Sequence, residues 1–133
     1  MNFLNPFKNV SYALLRVLSG FMFAFHGSQI ILGFYRVGFP PNFSAPIGSQ
    51  TWVGGMIELI GGLLVMLGFQ TRLAAFLCSG TMAVAYVQFH WHWQFDQNFF
   101  PALNQGEPAA LFSLIFLVIA THGAGIFSLD KNS

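Results

Sequence analysis

Charge is what this sequence has least of. Its 133 residues include five Lys or Arg and four Asp or Glu, 7% charged in all, where an average soluble domain carries about 25%. So thin a supply cannot cover the surface of a water-soluble domain of this size. The 55% hydrophobic content points instead to a chain that faces the lipid bilayer. The net charge is +1 and no basic patch is present, which leaves out the electrostatic footprint of a nucleic-acid binder. Cysteine is nearly absent too. Cys78 stands alone, so no internal disulfide or CxxC redox motif can form. Its apolar setting, AAFLCSGTMA, makes it a packing residue rather than a reactive thiol. No Ser–His–Asp order, phosphate-binding loop, nucleotide fingerprint or HExxH motif is present. A self-contained catalytic site of the soluble-enzyme kind is therefore not expected, and any activity would use a membrane-dissolved substrate or a partner subunit.

What the sequence does have is long apolar runs. About 20 residues cross a hydrocarbon core, and four stretches offer that, roughly 11–33, 51–69, 71–89 and 108–127. They predict an all-α polytopic membrane protein, a four-transmembrane-helix bundle forming a single domain over 1–133. Lys8 and Arg16 precede the first run as they would in a signal peptide. No small-x-small cleavage site follows, so a retained first helix is expected. In QGEPAAL, Pro108 suits the first helical position and Glu107 the positive end of the helix dipole. GFQTR joins the second and third runs as a tight antiparallel hairpin. The other connections, FYRVGFPPNFSAPIGSQ and HWHWQFDQNFFPALNQGE, are rich in aromatics, Pro and Asn and suit a membrane interface. Lys8, Arg16, Arg72 and Lys131 fall on one side and Arg36 on the other. The positive-inside rule then places both termini and the hairpin in the cytoplasm.

Ionisable groups inside a membrane are costly and face a protein interior or a cavity. In GGMIELIGGLLVMLGF the one such group is Glu58. It sits about seven residues from the outer end of its helix, as His26 does in the first, so both lie on the order of 10 Å deep. A His26–Glu58 pair, ionic or neutral, would offset the desolvation of both; equal depth on consecutive helices is necessary for it and not sufficient. Gly54, Glu58 and Gly62, at four-residue steps, would form a small-residue face turned to a neighbouring helix. A structural pin and a ligand or proton site both remain open for Glu58. Gln29 lies one turn beyond His26; Gln88 and His90 close the third run on the outer side. Together these five could form a polar pocket opening outward, rimmed by Trp52, Trp91, Trp93 and Phe95. Such a pocket, at headgroup depth, suits a quinone ring, although a plain interface belt also accounts for each Trp. His90, His92 and Asp96 can ligate metals, but their spacing matches no motif and no metal site is assigned. Arg16 and His122 lie near the cytoplasmic helix ends, where Arg16 would snorkel to the interface.

Three segments carry a family resemblance: LLRVLSGFMFAFHGSQIILGF, GGMIELIGGLLVMLGFQTRLAAFLCSGTMAVA and the closing GEPAALFSLIFLVIATHGAGIFSLD. In this order and spacing the chain resembles the DoxX family of small four-helix membrane proteins along nearly its whole length. The resemblance implies a four-helix bundle in a bacterial inner membrane. The name-giving members are similar to the small subunit of a thiosulfate:quinone oxidoreductase. Other members are linked to redox stress or quinone handling, and distant eukaryotic relatives act as assembly chaperones. The matched positions are Arg16, His26, Gly27, Glu58, Gly61, Gly62, Thr71, Arg72, Ser128 and Asp130. Gln29 stands where many members carry Lys, which removes a cation from the pocket. The expectation is a quinone-linked subunit or accessory of a membrane redox complex, with quinone as its non-covalent cofactor and other redox subunits or further copies of itself as partners. Two alternatives stay open: a non-catalytic assembly or scaffold protein, and a small-metabolite transporter.

Overall fold

The computed structural model describes residues 2–130; Lys131, counted in the charge asymmetry above, lies outside the described residues. Among the described residues every regular element is helical. A 3-10 turn, Asn2–Phe7, leads into α1 (Lys8–Ile31). Then come α2 (Gln50–Leu67), α3 (Thr71–Trp91), a single turn at Pro101–Asn104, and α4 (Glu107–His122). The first three, with α1 counted from Phe3, are long and apolar enough to cross a membrane; α4 is apolar but shorter, at 16 residues. Large apolar side chains such as Leu14, Leu18, Phe76 and Leu114 lie exposed along the bundle, as a lipid-facing surface requires.

The helix ends follow from local chemistry. α1 stops short of the expected Gly33 because Gly33 is left-handed, at φ 76°. The Ser49 hydroxyl opens α2 by accepting from the Trp52 N–H at 3.2 Å, the usual work of an N-cap serine. Gly68, at φ 68°, closes it, where any Cβ would be strained. α4 was expected to run to Phe127 and ends at His122. Gly123 and Gly125, at φ 95° and 65°, lead the backbone out of the helix. Arg72 reaches across from α3 and donates to the last carbonyls, Ala120 O at 3.1 Å, Thr121 O at 2.6 Å and His122 O at 3.2 Å. A cation there also favours the negative end of the helix dipole.

The helices pair as α1 with α2 and α3 with α4. The first pair meets backbone to backbone: a Cβ on Gly62 would stand 2.5 Å from Ala24 N, and one on Gly20 would stand 2.7 Å from Gly62 O. In lipid, where apolar burial drives little association, close approach is what holds helices together. The second pair is tied by the Ser79 hydroxyl donating to Ser113 O at 2.8 Å. Phe23 on α1 joins the pairs by packing on Phe116, centroids 4.7 Å apart, beside buried Val65, Cys78 and Ile119.

The expected Gly54–Glu58–Gly62 face forms only in part: Glu58 and Gly62 both meet α1, and Gly54 does not. A Cβ on Gly54 would find its nearest neighbour at 4.0 Å, whereas one on Gly55 would press into Ile30 at 2.6 Å. The cause is a π-helical segment, Ile57–Gly61, in the middle of α2. A π turn holds an extra residue, so positions before and after it no longer share a face at four-residue steps.

Arg16 also departs from expectation. It does not snorkel but is fully buried. Nη1 donates to Val65 O and Met66 O, both at 2.8 Å, and Nη2 to Ile126 O at 3.2 Å and Phe127 O at 2.6 Å. The tail after α4 thus folds back across the end of the bundle that carries the α2–α3 turn. Asp130 completes the clasp by accepting from the Gln70 and Thr71 N–H groups, each at 2.9 Å, and from the Thr71 hydroxyl at 2.7 Å.

Candidate functional site

At the opposite end, where the two long loops lie, the helix pairs stand apart. Between them is a cleft of about 1060 Å³ bordered by all four helices and by the loop after α1. Its walls are aliphatic and aromatic, interrupted by a few polar groups that include His26, Gln29, Glu58 and His90.

Glu58 sits in the π segment of α2 and is 5% exposed. Its Oε2 lies 2.6 Å from His26 Nδ1. Gly27 makes this possible: a Cβ there would come within 2.8 Å of the Glu58 carbonyl carbon, so α1 rests directly on the turn that carries the carboxylate. The pairing leaves an asymmetry. Glu58 is enclosed, while the His26 side chain is 53% exposed and borders the cleft. Its Nε2 has no protein hydrogen-bond partner among the described residues. A carboxylate that holds one imidazole nitrogen fixes the ring's orientation and leaves the other free to give or take a proton.

The other sequence-predicted residues divide. Gln29 borders the cleft, but its amide is engaged, donating to Tyr35 O at 2.6 Å. His90 borders it too. Its Nδ1 lies 3.1 Å from Asn104 O, and since a carbonyl only accepts, that nitrogen carries the hydrogen and Nε2 is the acceptor in the neutral ring. Gln88 does not belong to the site. It is exposed and accepts from the Gln50 amide. Nor do the tryptophans form the rim. Trp52 faces a shallow groove of about 320 Å³ between α2 and α3. Trp91 packs with Trp93 at 5.0 Å, Phe95 at 5.2 Å and Phe99 at 5.4 Å, away from the cleft. The reason lies in the end of α3, which turns π-helical over Tyr86–Trp91 and then passes through left-handed His92 and Trp93. Those turns carry the indoles out of register with His90. The aromatic rings on the cleft are phenylalanines instead, among them Phe39, Phe43, Phe89 and Phe112. Among the described residues no three His, Cys, Asp or Glu side chains are grouped to hold a metal ion.

Sequence reasoning missed Arg36. Its guanidinium donates to Gln29 O at 2.8 Å, Ile30 O at 3.3 Å and Phe43 O at 2.7 Å. The available signal was its position as the lone cation among the loop-side residues.

Residues 11–91, which include the His26–Glu58 pair, match the DoxX family. The chain belongs to the DoxX family. A Haemophilus influenzae protein described only as uncharacterized is 38% identical over 131 residues, 98% of this chain and 96% of that one. No solved structure matches. This DoxX protein is thus a helical membrane protein with its histidine–carboxylate pair inside the family segment and its Arg16-bound tail beyond it.

Proposed function

We propose that this DoxX protein is a quinone-linked subunit or accessory of a redox complex in the bacterial inner membrane, with four membrane-crossing helices and both termini cytoplasmic. The observation that carries this reading is the His26–Glu58 pair, which offers imidazole Nε2 to an apolar cleft of about 1060 Å³. Ligand pockets commonly hold roughly 300–1,000 Å³, mostly apolar with a few placed polar groups, so this one takes a ring together with part of an isoprenoid tail. His26 bonds a ring oxygen and exchanges its proton; Glu58 orients His26 and balances its charge. With few polar groups in the cleft, a partner subunit supplies or removes the electrons. Lys8 and Arg72 at the hairpin end, against Arg36 at the loop end, support the cytoplasmic placement of the hairpin.

The scaffold reading draws less support. Of the α2 glycines that would receive a partner helix, Gly55, Gly61 and Gly62 are already covered within the chain, and Gly54 alone is open. For a transporter, the hairpin end is crossed by the Arg16-bound tail.

The test is purification in mild detergent, with partner subunits identified and lipid extracts analysed for quinone by mass spectrometry. Co-purifying quinone that is lost on His26→Leu supports the reading. Protein that carries no quinone and binds none when it is added refutes it.

A further inference from the structure

The loop after α1 brings two of its rings onto the cleft. Phe34, Tyr35, Val37 and Ile47 are exposed, at 55%, 78%, 86% and 88%, while Phe39 and Phe43 are half-buried and border the cleft. Phe39 stands 6.0 Å from the His26 ring and 4.8 Å from Phe43, centroid to centroid. Both separations fall in the range of favourable ring pairs.

A loop this rich in exposed apolar groups has no packing reason to turn those two rings inward. Arg36 supplies one. It binds carbonyls at the C-terminal end of α1, Gln29 O and Ile30 O, and at the same time Phe43 O on the far limb of the loop. Its guanidinium also lies 5.6 Å from the centre of the Phe43 ring, within reach of a cation–π contact. The planar fork of arginine can serve several carbonyls at once, which a lysine ammonium on a flexible stem does not reproduce. The Gln29 amide adds a second tie, to Tyr35 O.

We propose that Arg36 is a positioning residue that holds Phe39 and Phe43 over His26 as a stacking wall, so that the site selects flat, conjugated rings over saturated rings bearing the same oxygens. This rests on the reading of the cleft as a ring-binding site. Phe39 lies against one face of the ring while His26 bonds an oxygen at its edge, and the tail leaves along the apolar walls. Selectivity for the flat ring comes from the loop and depends on Arg36, although Arg36 touches no ligand.

The experiment compares two probes with one decyl tail, a 1,4-benzoquinone and the corresponding cyclohexane-1,4-dione. Binding to the full-length protein in detergent is measured by equilibrium dialysis. Because each variant is read as the ratio of the two affinities, the partition of the probes into micelles cancels between variants. Wild type is expected to favour the benzoquinone, and Phe39→Leu and Arg36→Gln to reduce that preference by about 3- to 10-fold, the value of one ring-stacking contact. Phe39→Tyr keeps the preference and Arg36→Lys does not restore it. Unchanged helical circular dichroism and elution volume separate loss of positioning from loss of fold. Equal binding of the two probes by wild type overturns the proposal, as does an undiminished preference in Arg36→Gln. Should wild type bind neither probe, the ring-binding reading itself falls and this inference falls with it.

Discussion

Replacing Arg16 with Met tests the account of the hairpin end most directly, because methionine keeps much of the length and apolar volume while removing the guanidinium. Arg16 donates four hydrogen bonds to main-chain carbonyls. Bonds from charged donors contribute about 1.5–3 kcal/mol each, but a plain sum overstates the effect, because burying the cation costs several kcal/mol in the first place. Part of that cost is visible in Nε, which is buried and has no partner. The contact to Val65 O is fully buried and the other three are partly buried. Loss of the guanidinium therefore leaves Val65 O with the Gly68 N–H alone, at 3.1 Å, and leaves three carbonyls that interfacial water can partly satisfy. The tail residues Ile126 and Phe127 lose their anchor as well. Arg16→Met should destabilise the protein by about 1–3 kcal/mol, the cost of leaving partly buried acceptors unsatisfied once the guanidinium and its own burial cost are gone. Arg16→Lys should fall between, since one ammonium cannot serve both pairs of carbonyls. The assay is denaturant unfolding in detergent followed by helical circular dichroism, with limited proteolysis at the tail as the local readout. An Arg16→Met protein within about 0.5 kcal/mol of wild type, the scatter of ordinary surface substitutions, with an equally protected tail, would refute the reasoning.

Other positions give sharper contrasts. Gly27→Ala should destabilise by about 1–3 kcal/mol through overpacking and weaken the His26–Glu58 contact, because its Cβ would meet the backbone of α2. Gly80→Ala, with nothing within 4 Å of the added Cβ, should be neutral or stabilising by about 0.4–1 kcal/mol; thermal melts that fail to separate the two would count against the backbone contact. Glu58→Gln keeps a hydrogen-bonding partner for His26 Nδ1, so stability should change by less than about 1.5 kcal/mol while proton-coupled turnover in a reconstituted complex is lost; retained turnover would reduce Glu58 to a structural pin. Burial pushes the Asp130 carboxyl up, but hydrogen bonds from Thr71 and Gln70 together with the charge of Arg16 outweigh it and hold the group below its ordinary 3.8. A group lowered on folding stabilises above its unfolded value and stops doing so as pH falls through the folded one. Asp130→Asn should therefore cost stability at neutral pH and approach wild type below about pH 4; a gap that stays constant from pH 7 to 3 would contradict this.

Much of the fold was legible because its determinants are local. The apolar runs, Pro108, the GFQTR turn and the charge shortage all speak through neighbouring residues, and the DoxX resemblance rests on the same segments. Equal depth on consecutive helices made the His26–Glu58 pair the simplest account of Glu58 but did not decide whether the two touch; the structure does, at 2.6 Å. Three things were not legible. Two π segments, in α2 and at the end of α3, broke the helical arithmetic that placed Gly54 beside Gly62 and the tryptophans beside His90. Gly123 and Gly125 ended α4 early, and a lone glycine in an apolar run does not announce whether it will be helical. Arg16 looked like an interfacial cation because its partners are carbonyls more than 45 positions away, and a backbone acceptor leaves no mark in the sequence.

The two ends of the bundle explain each other. In water, apolar helices flanking a cleft of about 1060 Å³ would be driven together by the hydrophobic effect. In lipid that force is absent, because the acyl chains are as apolar as the side chains they replace, and an open cleft needs only a fixed angle between its walls. The hairpin end supplies that angle. Arg16 on α1 binds the last turn of α2 and the tail that follows α4; Asp130 of that tail caps α3; Arg72 of α3 caps α4. Each helix pair is thereby tied to the other by polar contacts at one end, and Phe23 on Phe116 acts as the fulcrum above them. A buried arginine is a poor way to gain stability in a domain that could use apolar contacts instead. It is a reasonable way to set the angle between helices in a solvent that gives apolar contacts little advantage, and the glycine-mediated contact of α1 with α2 then carries His26 and Glu58 into the space the angle leaves open.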